Sequence, residues 1–231
     1  MSSSGRVYLI GAGPGDAALF TLRGKELLGR ADVVIYDGLV NRELLRFAPP
    51  TAEIIYGGKH DRTRCVSQDD LNALLLRKAR AGGCVVRLKG GDPFIFGRGG
   101  EEAELLAAAG IPFEVVPGVS SIYSVPCYAG IPLTHRSRAS GVTIVTGHDV
   151  TDPASPVLRS GTAADGPVLR SSTAEGGRIT DHVDWPSLAR IPGTLVVLMG
   201  LRNIATIADT LISHGRAADT PVAIISRGTT G

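Results

Sequence analysis

Seven short apolar runs punctuate the chain: Val7–Ile10, Val33–Tyr36, Cys84–Leu88, Phe113–Val116, Val142–Thr146, Leu195–Met199 and Val222–Ser226. They are rich in valine and isoleucine and continuous rather than alternating, which is how strands read when both faces of a sheet are covered. The segments between them carry a helical period instead. Ser67-Gln68-Asp69-Asp70 makes a capping-box-like start, Leu71, Leu74 and Leu75 form one apolar face, and Gly82 is a natural stop. A second helix is predicted after Asn203, with Ile204, Ile207, Ala208, Leu211 and Ile212 on one stripe and Gly215 at its end. A third opens at Glu101-Glu102, runs through an Ala/Leu-rich segment to Ala109, and is closed by Gly110.

This alternation of strand and helix predicts an α/β protein. The prolines and glycines of Ile111-Pro112 and Pro117-Gly118 flank one strand, and a division into residues 1–116 and 117–231 is expected there, with a cleft between the halves. From Thr151 to Thr180 the composition turns to Ser, Thr, Gly, Pro and Ala, and an eleven-residue unit repeats, Pro156–Gly166 matching Pro167–Gly177 at most positions. Such a segment has too few apolar residues to offset the entropy of ordering it and reads as a surface loop, with a functional lid as the alternative.

Charge and composition narrow the classes. A formal net charge of +2 over 231 residues creates no global field towards nucleic acid or membrane, so any anionic partner must be met by local basic clusters. Three widely spaced cysteines, Cys65, Cys84 and Cys127, form neither a disulfide framework nor a metal-binding spacing and suit a reducing compartment. Met1-Ser2-Ser3-Ser4-Gly5 lacks the regions of a signal peptide, and no apolar run reaches the length of a membrane span; a cytoplasmic protein is expected.

The chemistry concentrates in loops that follow strands. Lys89-Gly90-Gly91-Asp92-Pro93-Phe94-Ile95-Phe96-Gly97-Arg98-Gly99-Gly100-Glu101-Glu102 stops a strand, bares backbone donors and acceptors, and lets a ligand approach where no Cβ stands in the way. Gly11-Ala12-Gly13-Pro14-Gly15-Asp16 resembles a dinucleotide fingerprint but carries Asp16 where the third glycine belongs, and Pro14 removes a donor; Asp37 sits at the spacing of a ribose-binding acid. By itself this motif favours a tight strand-to-helix turn over a nicotinamide-binding site.

Taken in order with Tyr36-Asp37-Gly38-Leu39-Val40, Gly57-Gly58-Lys59, Pro117-Gly118-Val119-Ser120-Ser121, Pro132-Leu133-Thr134-His135-Arg136 and Leu198-Met199-Gly200, these segments resemble the tetrapyrrole (corrin/porphyrin) methylase family. Within it, the similarity is to the members that methylate uroporphyrinogen III. It spans nearly the whole chain apart from the repeat-bearing insert and the C-terminus, where Ser226–Gly231 looks like the start of a segment that relatives continue. The resemblance implies a homodimer of two α/β domains with mixed sheets, holding S-adenosylmethionine in the cleft, methylating the macrocycle twice to give precorrin-2 through precorrin-1, and releasing S-adenosylhomocysteine.

The cofactor contacts it implies are Pro14, Gly90, Gly91, Asp92, Ile95, Ser120, Ser121, Met199 and Gly228. The macrocycle would be surrounded by Arg98, Glu101, Arg136 and Met199, with Lys59, His60, Arg62, Arg64 and Arg138 as a basic rim for its carboxylates. For catalysis the implied residues are Asp37 as proton acceptor, Lys59 as proton donor and Arg98, which chemistry favours as an anchor because a guanidinium keeps its proton. Asp37 capping a turn, Lys59 as a solvated charge and Arg98–Glu101 as an ordinary ion pair are the competing readings. His135 reads as a hydrogen-bonded loop residue, and no spacing supports a metal. The alternatives for function are a sister methylase acting on a later precorrin, and a module that binds the methyl donor without turning it over.

Overall fold

A computed structural model describes residues 5–58, 67–147 and 183–230. Lys59, His60, Arg62, Arg64 and Cys65 lie outside the described residues, as does the whole repeat-bearing insert. The chain forms two compact units, one of residues up to Pro132 together with Ile224 onwards, the other Leu133–Ala223.

The first unit is built on a five-stranded parallel sheet: β1 (Arg6–Gly11), β2 (Val33–Tyr36), β3 (Glu53–Tyr56), β4 (Cys84–Lys89) and β5 (Phe113–Val116), in the order β3-β2-β4-β1-β5. The register pairs Leu9 of β1 and Ile35 of β2 with Arg87 of β4. Side chains alternate across the sheet and are buried on both sides, as the continuous apolar runs require. On one face Ile10, Val34, Val86 and Leu88 pack against Leu27 and Leu28 of α1 (Leu22–Leu28) and Leu44 of the 3₁₀ turn Arg42–Phe47. On the other, Val7, Leu9, Ile35 and Val85 pack against Leu71, Leu75 and Ala79 of α2 (Gln68–Arg80) and Leu106 of α3 (Gly99–Ala108).

Local chemistry accounts for the helix ends. Ser67 Oγ accepts from Asp70 N at 3.0 Å while Asp70 Oδ2 accepts from Ser67 N at 3.3 Å, a complete capping box for α2. Gly110 follows α3 with φ 65°, the left-handed value a helix stop favours. α4 (Ser121–Tyr128) is capped by Ser120, whose Oγ accepts from Ile122 N at 3.3 Å.

The second unit pairs β6 (Val142–Thr146) with β7 (Thr194–Leu198), again in parallel, and covers them with α5 (Trp185–Arg190) and α6 (Ile204–Ser213). Its core is Trp185, Leu188, Ala189, Ile207 and Leu211.

Several expectations need correction. Val222–Ser226 is not a strand: Val222 is 76% and Ile224 64% exposed, and among the described residues no strand takes up their backbone bonds. β7 ends at Leu198 because Met199 turns to φ 56°. β3 carries no expectation from the sequence; it is a short edge strand, half exposed along its length. Mixed sheets are implied by the resemblance; the described pairings between strands are parallel, and the antiparallel ones are isolated bridges, Gly13 with Gly91 and His135 with Ala139. The division falls after Pro132, not after residue 116, because α4 is tied to the first unit: Asp92 Oδ2 accepts from Gly118 N at 3.0 Å, and Tyr128 donates to Asp16 Oδ2 at 2.9 Å.

Candidate active site

The order of the sheet sets where a ligand can sit. The connection leaving β1 runs towards β2 over one face, and that leaving β4 runs towards β5 over the other. Adjacent parallel strands whose connections part to opposite faces leave a crevice at their carboxyl ends, the habitual ligand position of open α/β sheets. The loops that meet there are Ala12–Gly15 after β1, Gly90–Asp92 after β4 and Pro117–Ser120 after β5.

Glycine makes their approach possible. A Cβ on Gly11 would meet Gly118 Cα at 2.5 Å and Gly91 O at 2.6 Å, and one on Gly118 would meet Gly91 O at 2.1 Å, so any side chain would force the three loops apart. Gly13 and Gly91 exchange backbone hydrogen bonds of 2.8 and 3.2 Å. Gly91 has φ 65° and nothing within 4 Å of the position its Cβ would take, so its open side is free for a ligand.

Asp92 braces this arrangement, with Oδ1 accepting from Phe94 N at 2.9 Å and Oδ2 from Gly118 N. Pro14 is half-buried in the β1 loop, and Ile95, 43% exposed, follows Asp92. Ser120 is buried as the α4 cap and Ser121 begins that helix. Gly228 packs on α4, where a Cβ would meet Val125 Cγ1 at 2.5 Å.

One participant is absent from the sequence reading. Thr229 is 7% exposed and its Oγ1 has no hydrogen-bond partner among the described residues, and it lies 2.9 Å from where a Cβ on Gly15 would stand. A buried hydroxyl without a partner costs about 1–3 kcal/mol, so something is expected to bond to it. The glycine-rich turn Arg227-Gly228-Thr229-Thr230 was the available signal.

Beside the crevice, Asp37 accepts from Leu39 N at 3.1 Å through Oδ1 and from Gly90 N at 3.4 Å through Oδ2. It therefore does cap a turn, and with a quarter of its side chain exposed it also reaches solvent. Arg98 is held in a fork by Glu101, Nε to Oε1 at 2.9 Å and Nη2 to Oε2 at 2.7 Å. Those hydrogen bonds raise the guanidinium above its ordinary value despite partial burial, so Arg98 stays cationic at any working pH and is suited to anchoring.

Backbone conformation singles out residues in each unit. The described non-glycine residues with positive φ are Phe96, Arg98, Met199 and Arg227. Such strain costs about 1–3 kcal/mol per residue and concentrates at functional sites. Met199 belongs to the second unit, where it follows β7 with its side chain half exposed. Arg136 is exposed on a tight turn of the same unit, in which His135 N donates to Ala139 O at 2.9 Å and His135 Nδ1 lies 3.1 Å from Ser137 Oγ. His135 is thus a hydrogen-bonded loop residue.

A parallel-sheet unit with a glycine-walled crevice at its switch point defines a class of nucleotide-type ligand binders. The particular family follows from comparison with known proteins: the family model described as Tetrapyrrole (Corrin/Porphyrin) Methylases matches residues 6–231, and the chain belongs to that family. It is 46% identical over 97% of its length to the S-adenosyl-L-methionine-dependent uroporphyrinogen III methyltransferase of Methanosarcina barkeri, of which it covers 78%. It is 48% identical to siroheme synthase 1 of Serratia proteamaculans but spans 42% of that protein. Among solved structures, the Thermus thermophilus uroporphyrin-III C-methyl transferase complexed with S-adenyl homocysteine matches with a TM-score of 0.67 and 44% identity over 92% of this chain and 78% of that one. A cobalt precorrin-4 methyltransferase matches with a TM-score of 0.75 at 27% identity, covering 97% of this chain and 81% of that one.

Proposed function

We propose that this protein is an enzyme that transfers two methyl groups in succession from S-adenosylmethionine to uroporphyrinogen III, giving precorrin-2 through precorrin-1 and releasing S-adenosylhomocysteine. The observation that carries the reading is the crevice at the ends of β4, β1 and β5, walled by Gly11, Gly91 and Gly118 and edged by the Thr229 hydroxyl, which has no partner among the described residues. Its donors and acceptors are mostly main-chain groups, the set that an adenosine and an amino-acid end require. The names of the Methanosarcina and Thermus relatives support the same substrate.

S-adenosylmethionine, when bound, supplies an electrophilic sulfonium methyl, so the reaction asks the chain mainly for placement. Well-oriented reactants gain about 7–11 kcal/mol from positioning. Pro14, Gly90, Gly91, Asp92, Ile95, Ser120, Ser121, Met199 and Gly228 are proposed to hold the methyl donor, and Thr229 joins them. Arg98 and Arg136 are proposed to anchor substrate carboxylates, with Glu101 keeping the Arg98 fork in its plane and Met199 against the macrocycle. The methylated carbon already carries a side chain and has no hydrogen to lose, so Asp37 is proposed to take the proton that the ring gives up from a neighbouring position after methyl transfer, a contribution of about 10²–10⁴-fold for a well-placed base. Lys59 is proposed to return a proton. The product suits sirohaem or cobalamin synthesis.

We also propose a homodimer at work in the cytoplasm; no described helix is long and apolar enough to cross a membrane. The siroheme synthases are much longer than this chain, and their remaining activities are not assigned to it.

Anaerobic incubation with both substrates tests the function. Two equivalents of S-adenosylhomocysteine and a product heavier by two methyl groups are expected. A folded protein that binds S-adenosylhomocysteine yet leaves uroporphyrinogen III unchanged would shift the assignment to a sister methylase or a binding module.

Thr229→Val tests the hydroxyl. Removing an unpartnered buried oxygen leaves the ligand-free protein as stable or slightly more so, while the dissociation constant for S-adenosylhomocysteine rises by about five- to tenfold, the worth of one hydrogen bond. Calorimetry beside urea unfolding reads both; unchanged affinity removes Thr229 from the site.

A further inference from the structure

Beneath the crevice lies a group of buried charges that the proposed reaction does not use. Arg87 and Lys89 are two apart on β4 and so project to the same face of the sheet, the one covered by α2 and α3, and each is 3% exposed. Glu102, in the first turn of α3, is fully buried between them, with Oε1 3.1 Å from Arg87 Nε and Oε2 3.0 Å from Lys89 Nζ. The Arg87 fork then spends its other arm on the opposite side: Nη1 donates to Leu88 O at 3.1 Å and Ile35 O at 3.4 Å, and Nη2 lies 3.7 Å from Asp37 Oδ2. Two cations are thus matched by two carboxylates, and of the four side chains Asp37 is the one that reaches solvent.

Stability does not explain this grouping. Buried ion pairs are at best balanced against their desolvation, and apolar side chains of similar volume serve a core as well or better. Burial, reinforced by Arg87, pushes the Lys89 ammonium below its ordinary value, with Glu102 and Asp37 opposing. Without the Glu102 charge, Arg87 and Lys89 would face each other unmatched. The geometry gives Glu102 a second reach: the Lys89 stem passes 3.6 Å from where a Cβ on Gly97 would stand, and α3 begins directly after Arg98.

We infer that Glu102 is a positioning residue for methyl transfer, which acts through Arg87 to orient the Asp37 carboxylate at the edge of the crevice and through Lys89 to seat the loop that carries Arg98. This rests on the proposed function, with Asp37 as the proton acceptor.

The experiment is a double-mutant cycle with a readout that needs no turnover. Glu102→Gln keeps shape and loses charge; Arg87→Lys keeps the charge next to Glu102 but lacks the arm towards Asp37. In ¹⁵N-labelled protein without substrate, the Leu39 amide, bonded to Asp37 Oδ1, is expected to change its resonance in each variant, and most informatively in Glu102→Gln, whose side chain reaches Asp37 only through Arg87. In turnover, each variant lowers kcat by about 10–100-fold, while in an Asp37→Asn background the same substitution costs less than about threefold, because residues that act as one unit are not additive. Affinity for S-adenosylhomocysteine stays within about threefold.

A Leu39 amide that does not move overturns the inference, and so do losses that multiply in the double variant. Should Glu102→Gln fail to fold, Arg87→Lys carries both readouts. A Leu39 amide that moves in a protein inert towards uroporphyrinogen III supports the positioning and sinks the substrate reading instead.

Discussion

Replacing Arg98 with alanine is expected to lower methylation of uroporphyrinogen III by about 10²–10³-fold while S-adenosylhomocysteine binds within about twofold of the native affinity, since an ionic anchor to a carboxylate is worth about 2–5 kcal/mol. The expectation comes from its place and its state. The guanidinium stands at the entrance to α3, already forked against Glu101 and held firmly protonated, so it presents a rigid cation to an acidic substrate. A control separates function from folding. Arg98 sits at φ 56°, a conformation that glycine adopts at no cost, so Arg98→Gly is expected to gain about 1 kcal/mol in stability and lose activity as severely as alanine. An inactive variant more stable than the parent leaves no room for a folding explanation. If both variants turn over normally, the Arg98–Glu101 pair is an ordinary surface ion pair and the anchor lies elsewhere.

Asp92→Ala is expected to act on the other substrate. The carboxylate spans two loops, accepting from Phe94 N on its own loop and Gly118 N on the loop after β5, so it fixes the spacing on which the glycine crevice depends. Loss of two charge-assisted bonds, each worth about 1.5–3 kcal/mol, is expected to weaken S-adenosylhomocysteine by about 10²-fold, with partial recovery in Asp92→Asn, whose amide oxygen still accepts one of them. With saturating methyl donor, kcat should fall less than about tenfold, because the anchoring of the macrocycle is untouched. Calorimetry and steady-state kinetics read the split. Equal and mild effects of Asp92→Ala and Arg98→Ala on binding and turnover would dissolve the division of labour between the two loops.

Much of this was legible from residue order. β2, β5 and β6 have the bounds of their apolar runs, β1 is longer than its run by one residue at each end and β4 by one at its C-terminal end, because strands covered on both faces leave an unbroken Val/Ile signal. α2 was announced by its own capping chemistry at Ser67 and Asp70. What was missed depends on neighbours. β3 is an edge strand with one partner, so its residues are only half buried and its pattern is weak. Val222–Ser226 has a strand's composition, but composition cannot supply a neighbour for its backbone. The unit boundary was misplaced because hydrogen bonds donated by Gly118 N and Tyr128 to Asp92 and Asp16, far apart in the chain, draw α4 into the first unit.

The site divides in the same way. Glycine-rich loops at strand ends are visible in sequence because glycine there has few other uses, and Gly90, Gly91 and Asp92 stand at the crevice. Lys89 reads as a charge beside the glycine loop and Glu102 as a helix-opening acid, but their pairing with each other and with Arg87 was not legible, since a charge inside an apolar run does not reveal which distant carboxylate it meets. A cation within a strand covered on both faces was nevertheless a signal, because such a charge must be paired. Thr229 escaped for a related reason: only the fold shows that its hydroxyl is buried beside Gly15 and without a partner among the described residues.

On the proposed function, the carboxyl-edge crevice between β1 and β4 holds the methyl donor. A crystal structure of the protein grown with S-adenosylhomocysteine tests it most directly. The ligand is expected against the open side of Gly91, between the Gly90–Asp92 and Gly118–Ser121 loops, with a polar atom within hydrogen-bond distance of Thr229 Oγ1. Density for the ligand away from those loops, or a nicotinamide dinucleotide held in their midst, would contradict the account.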